Sequence, residues 1–426
     1  MIRLVVEGAL PLRAASRASH IIDQCAGGLG LDGPSQTTIQ NHLMRVGLYL
    51  INRVDQVRSD WVWLLDHTIA AGTTKCLIVI AISLEDFRRL GRAPAHQDFT
   101  VIGVFPVDSS NGEVVASQLR RLQSQFGTPV ATLSDRGSDL KKGVESFQKE
   151  HPAVVSLYDI VHLVSRVIKA ILESDPRWDA YRKECCRCAN LLRQSPLAHL
   201  KPPTPKTKAR YMNFDREVRW ALRALEVLDR VAGGFVKDRQ KARLPAALVE
   251  EKLSWLRGYR EAVSIWMEVI WTGKAINELV RREGYHSKTA GMIRALHGKL
   301  QYEPSHELIC RVSAEVDQLC SGMAMGECYP GSTEVLESLI GRAKRMLCSG
   351  GHHGLTRYIL SVAAATTELT AGLLQRALTQ CRTKHVLQWA RDNLSMPVHR
   401  KRREDLIATS EEEKLRTLSE VAMPTF

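Results

Sequence analysis

Long apolar segments, a cysteine framework and a nucleotide-binding loop are all missing from this sequence. The longest apolar run, Cys76 to Ile82, is far shorter than the ~20 residues that cross a bilayer. The start of the chain reaches a charge at Arg3 before an apolar core of signal-peptide length develops. No Gly-x-x-x-x-Gly-Lys-Ser/Thr loop occurs, so nothing indicates ATP use. We therefore expect a cytoplasmic protein that requires neither a membrane nor ATP.

The ten cysteines form no disulfide or metal-binding pattern. Cys185, Cys186 and Cys188 crowd together, but no second Cys or His pair has the spacing that would complete a tetrahedral zinc site. His352 and His353 stand between glycines, which favours a turn over a ligand pair. The cysteines are expected to be reduced thiols, as in cytosolic proteins.

What the sequence has in excess is positive charge. Lys plus Arg outnumber Asp plus Glu by 59 to 46, a net charge of +13 in 426 residues. This balance favours a polyanionic partner, with nucleic acid ahead of an anionic membrane surface. A basic enzyme with merely solvated lysines is the alternative. The chain is long enough for more than one domain.

Three short segments carry acidic residues at positions where their carboxylates could form an active site. Apolar, strand-like runs end on Asp66 and Asp135, and Glu337 lies in a helical pattern. Three carboxylates on two strands and a helix suit a pair of divalent metal ions that cut and join phosphodiesters. We predict two Mg²⁺ or Mn²⁺ ions here. Glu334 lies three residues before Glu337, but a carboxylate in a first helical turn is explained by the helix dipole, so Glu337 is favoured.

The order of predicted elements separates strand-rich from helical regions. Strands are predicted at 61–66, 75–83, 99–107, 129–134 and 153–158, with helices at 112–126 and 138–149. Helices alone follow at 176–194, 212–238, 248–283 and 304–320, and the amphipathic stretch 355–374 comes later. About 150 helical residues are too many for a loop, so they indicate an inserted domain.

This order of elements resembles the DDE transposase superfamily, whose catalytic domain is ribonuclease-H-like. Leu336 to Lys344 resembles the Glu-Ser-hydrophobic-hydrophobic-Gly-x-x-Lys stretch around the catalytic glutamate of bacterial insertion-sequence transposases. Asp159 and His162 match an Asp/Cys-x-x-His motif that several of these superfamilies carry before a helical insertion. The resemblance covers roughly residues 60–170 and 330–375. The sequence departs from one large insertion-sequence family, in which a Tyr and an Arg precede the catalytic glutamate. Pro330 and Thr333 occupy those positions here.

The resemblance implies an α/β fold: a ribonuclease-H-like mixed sheet flanked by helices, interrupted by an all-α insertion and preceded by a helix-turn-helix-like segment. The implied domains are a helical segment at 1–55, the catalytic domain at 56–172 and 329–390, the insertion at 173–328 and a basic, flexible tail at 391–426. In that fold the first and fourth strands are neighbours, which would bring Asp66 and Asp135 together. The implied protein is a bacterial, nucleoid-associated DNA transposase acting as a homodimer or larger synaptic assembly.

Candidate DNA contacts are spread along the chain. Ser35 can cap a helix whose first turns are polar, which fits a helix-turn-helix reader or an ordinary helical hairpin. The candidate contacts are Gln36, Thr37, Gln40, Asn41, Arg136, Lys344, Arg345, Arg400, Lys401 and Arg402. Trp255, Trp266 and Trp271 in the insertion either stack a flipped base, as the resemblance implies, or belong to a helical core.

Two other functions remain open from the sequence. One is a nuclease or junction resolvase of the same fold, although such enzymes are compact and lack a long helical insertion. The other is a domesticated transposase that only binds DNA, which the presence of all three acids disfavours.

Overall fold

The computed structural model describes residues 1–25, 33–53, 57–69, 74–204, 213–232, 245–347, 356–395 and 403–406. The chain divides into two compact units. We call residues 1–157 and 333–426 the sheet unit, and residues 158–332 the helical unit. The glycine-rich turn before Gly33, the His352–His353 pair and the basic run 400–402 lie outside the described residues.

Five strands form one mixed sheet, so the predicted α/β class is confirmed. They are β1 (Trp61–Ile69), β2 (Lys75–Ser83), β3 (Thr100–Val107), β4 (Ala131–Ser134) and β5 (Val155–Tyr158). Their order is β3-β2-β1-β4-β5, with β1 antiparallel to β2 and parallel to β4. β-Branched and other apolar residues fill β1 and β2, as expected for strands covered on both faces.

β1 is longer than the sequence indicates. It was predicted to end at Asp66, but His67 and Thr68 still pair with Leu77 and Cys76 of β2. Asp66 therefore lies inside the strand, opposite Ile78, and the prediction that it ends the strand is wrong. The polar residues after Asp66 stay in the ladder because β2 supplies their backbone partners.

Seventeen α-helices lie in the described residues. In chain order they are α1 (Ile2–Val6), α2 (Leu12–Cys25), α3 (Gln36–Ile51), α4 (Leu84–Arg89), α5 (Gly112–Phe126), α6 (Ser138–Glu150), α7 (Ile160–Ser174), α8 (Pro176–Leu192), α9 (Asn213–Ala232), α10 (Ala246–Leu253), α11 (Arg260–Glu283), α12 (Thr289–Arg294), α13 (Glu303–Cys320), α14 (Glu334–Leu347), α15 (Ser361–Ala364), α16 (Ala371–Gln380) and α17 (Thr383–Asn393). No helix among these described residues has the length and apolarity to cross a bilayer.

α5 and α6 cover one face of the sheet. Trp63 and Leu65 of β1 point toward this face, and they are fully buried with Leu119 of α5 and Phe147 of α6. Trp63 and Phe147 lie 6.1 Å apart between ring centroids. Because side chains alternate along a strand, Asp66 must point to the opposite face.

α3 forms part of the core of the sheet unit. It packs against α15, α16, α17 and β3, and its second half is largely buried. Gly47 permits this packing, since a Cβ there would lie 2.1 Å from the carbonyl oxygen of Leu360. The Arg45 guanidinium donates to the carbonyl of Cys381 (2.6 Å), so α3 is also tied to the end of α16.

Two predicted helices are interrupted. The stretch 248–283 is α10, a 3-10 turn at Ser254–Tyr259 and α11. The amphipathic stretch ending at 374 contains a break after α15, where the hydroxyls of Thr366 and Thr367 donate to Ala363 O at 3.1 and 3.3 Å. Thr370 then caps α16 by accepting from Leu373 N. Threonine hydroxyls compete for backbone groups in this way and favour helix ends.

The helical unit begins at residue 158, whereas the sequence placed the insertion at 173, a difference of 173 − 158 = 15 residues. α7 accounts for the difference. Its buried face, which includes Leu163, Val167 and Ile171, packs against α11 and α13.

Candidate active site

Asp66 lies in β1, and Asp135 directly follows β4, the parallel strand next to β1. The ladder between β1 and β4 ends with Leu65 opposite Ser134, and the two aspartates are the next residues of each segment. Continuing this register by one residue places their backbones side by side, roughly 5 Å apart. Asp66 is 4% exposed and Asp135 is half-buried. Two aspartates from distant parts of the sequence are therefore brought to neighbouring backbone positions, Asp66 inside β1 and Asp135 directly after β4.

α14 carries Glu334 and Glu337 and packs against β1. The buried face of α14 consists of Leu336, Leu339 and Ile340, and both glutamates are half-buried. α14 also contacts the 3-10 helix His96–Asp98, and its Arg342 lowers the pKa of His96 after the larger effect of burial. That 3-10 helix precedes β3, at the end of the sheet where β1 begins. That the first turn of α14, which carries Glu334 and Glu337, lies near Asp66 stays a prediction.

The turn after β4 is held tightly around Asp135. Asp135 Oδ1 accepts the backbone N–H of Gly137 at 2.9 Å. Arg136 has a φ of 53°, a left-handed conformation that costs a non-glycine residue free energy. A Cβ on Gly137 would lie 3.3 Å from Asp135 Oδ1, so a larger residue there would press on the carboxylate.

A buried polar network lies next to this turn, and the sequence did not reveal it. Asp139 in the first turn of α6 accepts from Lys75 Nζ at 2.8 Å and lies 3.5 Å from His67 Nδ1. Ser110 Oγ is 3.4 Å from His67 Nε2. The side chains of His67 and Asp139 are only 8% and 10% exposed. The network joins β1, β2, the β3–α5 loop and α6 around the segment that carries Asp135.

The two titratable groups of this network have shifted pKa values. Burial lowers the pKa of His67, and the favourable charge of Asp139 opposes this only in part. Burial would raise the pKa of the Asp139 carboxyl, but the Lys75 hydrogen bond and the neighbouring His67 outweigh it, and the pKa lies below its ordinary value. At neutral pH the network therefore contains the Asp139 carboxylate and a neutral His67 imidazole. The only sequence signal was a histidine directly after the predicted strand 61–66, since a polar group that is buried there needs a partner.

The donors predicted to hold metal ions are all carboxylate oxygens, the ligands that Mg²⁺ prefers. No three His, Cys, Asp or Glu side chains converge on one point in the part of the chain that the structure describes. The donor chemistry fits Mg²⁺, and the two-ion site stays a prediction.

Asp159 and His162, the predicted supporting motif, form a helix cap in the helical unit. Asp159 is fully buried, and its Oδ1 accepts the backbone N–H of His162 at 2.9 Å. Close by, Ile160 N donates to Gly331 O and Tyr285 Oη donates to Tyr158 O, which joins the two ends of this unit. This position of Asp159 is explained by capping alone.

The predicted DNA contacts in α3 lie at its start. Ser35 caps the helix as predicted, accepting from Thr38 N at 3.2 Å. Gln36, Gln40 and Asn41 are half-buried, Thr37 is exposed, and Gln36 Oε1 accepts from Arg13 Nε at 3.0 Å. Only the first turns of α3 could reach a groove, because the rest is packed. A role of these residues in binding DNA stays a prediction.

The other predicted DNA contacts are in three places. Arg136 is half-buried, with its guanidinium 3.5 Å from Ser156 O. Lys344 and Arg345 belong to α14, but their side chains lie outside the described residues. Arg400, Lys401 and Arg402 also lie outside them.

The three tryptophans singled out in the sequence, Trp255, Trp266 and Trp271, have different environments in the helical unit. Trp266 is 1% exposed, donates to Asp175 Oδ2 at 2.9 Å and contacts Trp178 edge-on. Trp255 packs among Tyr181, Trp220 and Tyr259. Trp271, in contrast, is 56% exposed. Trp266 and Trp255 therefore belong to an aromatic core, and only Trp271 presents a ring to solvent.

Comparison with known proteins gives matches among solved structures. No family model matches the chain, and no curated protein matches its sequence. Among solved structures, a P element transposase strand transfer complex from Drosophila is similar with a TM-score of 0.37 and 14% identity. The match covers 87% of this chain and 96% of that one. At this TM-score the likeness is distant, and it supports no statement about the chemistry of this chain.

Proposed function

We propose that this protein is a DNA transposase of the DDE type, with a ribonuclease-H-like sheet unit and a helical insertion. One observation carries the proposal: Asp66 in β1 and Asp135 directly after β4 belong to neighbouring parallel segments of a β3-β2-β1-β4-β5 sheet, and a helix bearing Glu337 packs on β1. The resemblance of the sequence around Glu337 to insertion-sequence transposases supports it. Double-stranded DNA, as transposon ends and target, is the proposed substrate, and an assembly of two or more copies is the proposed active form.

The chain's own residues would position the acids before DNA binds. Asp66 is fixed by its position inside β1, and Asp135 by the Gly137 N–H, so neither carboxylate must be ordered on DNA binding. Glu337 would complete the set from α14. Two Mg²⁺ or Mn²⁺ ions, when bound by these carboxylates, would supply charge stabilisation for the scissile phosphate. Joining by transesterification conserves a phosphodiester bond, so no ATP is needed.

Two alternatives use the same residues. A nuclease or resolvase would cleave but not join, and a DNA-binding derivative would do neither. The helical unit of 175 residues (332 − 158 + 1) favours the transposase, since a plain nuclease of this fold has no need of it.

The test is a Mg²⁺-dependent cleavage and strand-transfer assay on DNA that flanks the coding sequence. We expect Asp66→Asn, Asp135→Asn and Glu337→Gln to abolish both steps while DNA binding persists. Glu334→Gln should retain activity, and Asp108→Asn, an exposed carboxylate at the end of β3, is the matched control. Normal rates in either aspartate variant would disprove the site. Loss of activity in Glu334→Gln but not in Glu337→Gln would show that Glu334, and not Glu337, is the third carboxylate of the site.

A further inference from the structure

A cluster of one cysteine and two histidines lies in the helical unit, and none of its members belongs to the candidate active site. His297 belongs to the 3-10 helix Ala295–Lys299, and His306 and Cys310 are four residues apart on α13. His297 Nδ1 is 2.5 Å from His306 Nδ1, and His297 Nε2 is 3.6 Å from Cys310 Sγ. The two imidazole rings are stacked, 4.7 Å apart between centroids and 17° from parallel.

The cluster is arranged as a chain and not as a metal site. His297 uses Nδ1 toward His306 and Nε2 toward Cys310, and these nitrogens lie on different edges of the ring. A metal ion would need the three donors to converge, which they do not do here, consistent with the lack of any such group among the described residues. If His297 donates its Nδ1–H to His306, its Nε2 carries the lone pair that faces the thiol. His306 would thus fix the tautomer in which His297 is a base toward Cys310.

Cys310 also has the access that a reacting thiol needs. It is exposed, whereas Cys185 and Cys188 in the same unit are buried. The neighbouring cation Arg311 is paired with Glu307 at 2.9 Å. The group in contact with the thiol that can accept its proton is His297. A nucleophile, a base in contact with it and a third group that orients the base are the parts of an activated cysteine.

We propose that Cys310 is an activated thiol that exchanges with low-molecular-weight disulfides such as oxidised glutathione. The Cys310 Sγ attacks one sulfur of the disulfide, and its proton passes to His297 Nε2. The S–S bond of the disulfide breaks, and the departing thiolate takes the proton from His297. The products are a mixed disulfide on Cys310 and one free thiol, so electrons and protons balance. This modification site is independent of the proposed transposase function.

The experiment measures how fast each cysteine of the native full-length protein forms a mixed disulfide with oxidised glutathione, by quenching and peptide mass spectrometry. Cys186 is the internal control, because it is exposed in the same unit without a histidine contact in the structure. We expect Cys310 to react ~100-fold faster than Cys186, the lower range of what a positioned base contributes. His297→Gln should bring Cys310 down to the Cys186 rate, and His306→Asn should produce a smaller loss.

Buried cysteines report whether each variant is folded. Cys185 and Cys188 should stay unmodified in every folded variant, and if His297→Gln exposes them, His297→Asn replaces it. Equal rates at Cys310 and Cys186 in the wild type would overturn the proposal by themselves. An unchanged Cys310 rate in a folded His297 variant would do so too.

Discussion

Gly143→Ala tests whether the close packing of α5 on α6 supports the segment that carries Asp135. A Cβ at this buried position would lie 2.5 Å from both Cβ and Cγ1 of Val115, and 2.9 Å from Gly112 O. Val115 is fully buried and β-branched, so its side chain has no other rotamer to adopt without cost. The two helices would have to move apart.

The magnitude depends on two opposing effects. Alanine is favoured over glycine within a helix by about 1 kcal/mol, whereas overpacking costs about 1–3 kcal/mol. Since one neighbour is a backbone carbonyl that cannot rotate away, we expect the cost to be in its upper range. The free energy of unfolding of the sheet unit should therefore fall by about 1–2 kcal/mol.

Gly372→Ala is the matched control, because it makes the same change in α16 of the same unit. A Cβ there meets only the end of the Arg376 side chain, at 3.8 Å. This variant should be as stable as the wild type or more stable by some tenths of a kcal/mol. Urea unfolding followed by circular dichroism, with hydrogen exchange on α5 and α6 to separate the two units, gives both values. If Gly143→Ala unfolds at the same urea concentration as Gly372→Ala, α5 and α6 can accommodate the extra methyl group and the reasoning is refuted.

Further predictions concern the candidate site, the aromatic core and the tail. Gly137→Ala should lower DNA cleavage at least ~10-fold through displacement of the Asp135 carboxylate, with little change in the urea midpoint; an unchanged rate would contradict this. Trp266→Phe should reduce stability by about 1–3 kcal/mol, because it removes buried ring area and the bond to Asp175, while Trp271→Phe should change it by less than ~0.5 kcal/mol. Burial would raise the pKa of Asp175, but hydrogen bonds from Arg177 and Trp266 hold it below its ordinary value. The ionised Asp175 carboxylate therefore stabilises the fold fully above about pH 4, and this stabilisation is lost as the pH falls through the lowered pKa of Asp175. Asp175→Asn should accordingly reduce the dependence of the free energy of unfolding on pH below about pH 4. Deleting residues 396–426 should reduce the slope of DNA affinity against salt by about 0.9 for each phosphate that the tail neutralises, and an unchanged slope would show that the tail does not touch DNA.

Local patterns were sufficient to predict most elements of the sheet unit. Alternating or continuous apolar residues predicted all five strands, and the amphipathic period predicted α5 to within a residue. These signals work because each strand or helix buries a face that its own sequence defines. The neighbouring position of Asp66 and Asp135 was expected from the order of elements, and the register of β1 and β4 agrees with it.

Local patterns were weaker where side-chain hydroxyls or partner strands decide the outcome. The break after α15 depends on threonine bonds to Ala363 O, and the extension of β1 past Asp66 depends on pairing with β2. In both cases a partner outside the periodic pattern ends or prolongs the element.

The sequence by itself determined the class of the fold and the order of its elements. Only the tertiary structure decided which polar side chains meet: Asp139 with Lys75 and His67, and His297 with Cys310. It also separated Trp271, which faces solvent, from Trp266, which does not. The physical reason is that periodicity reports which face of an element is buried, whereas a polar contact depends on what another element brings to that face, and this partner can be distant in sequence.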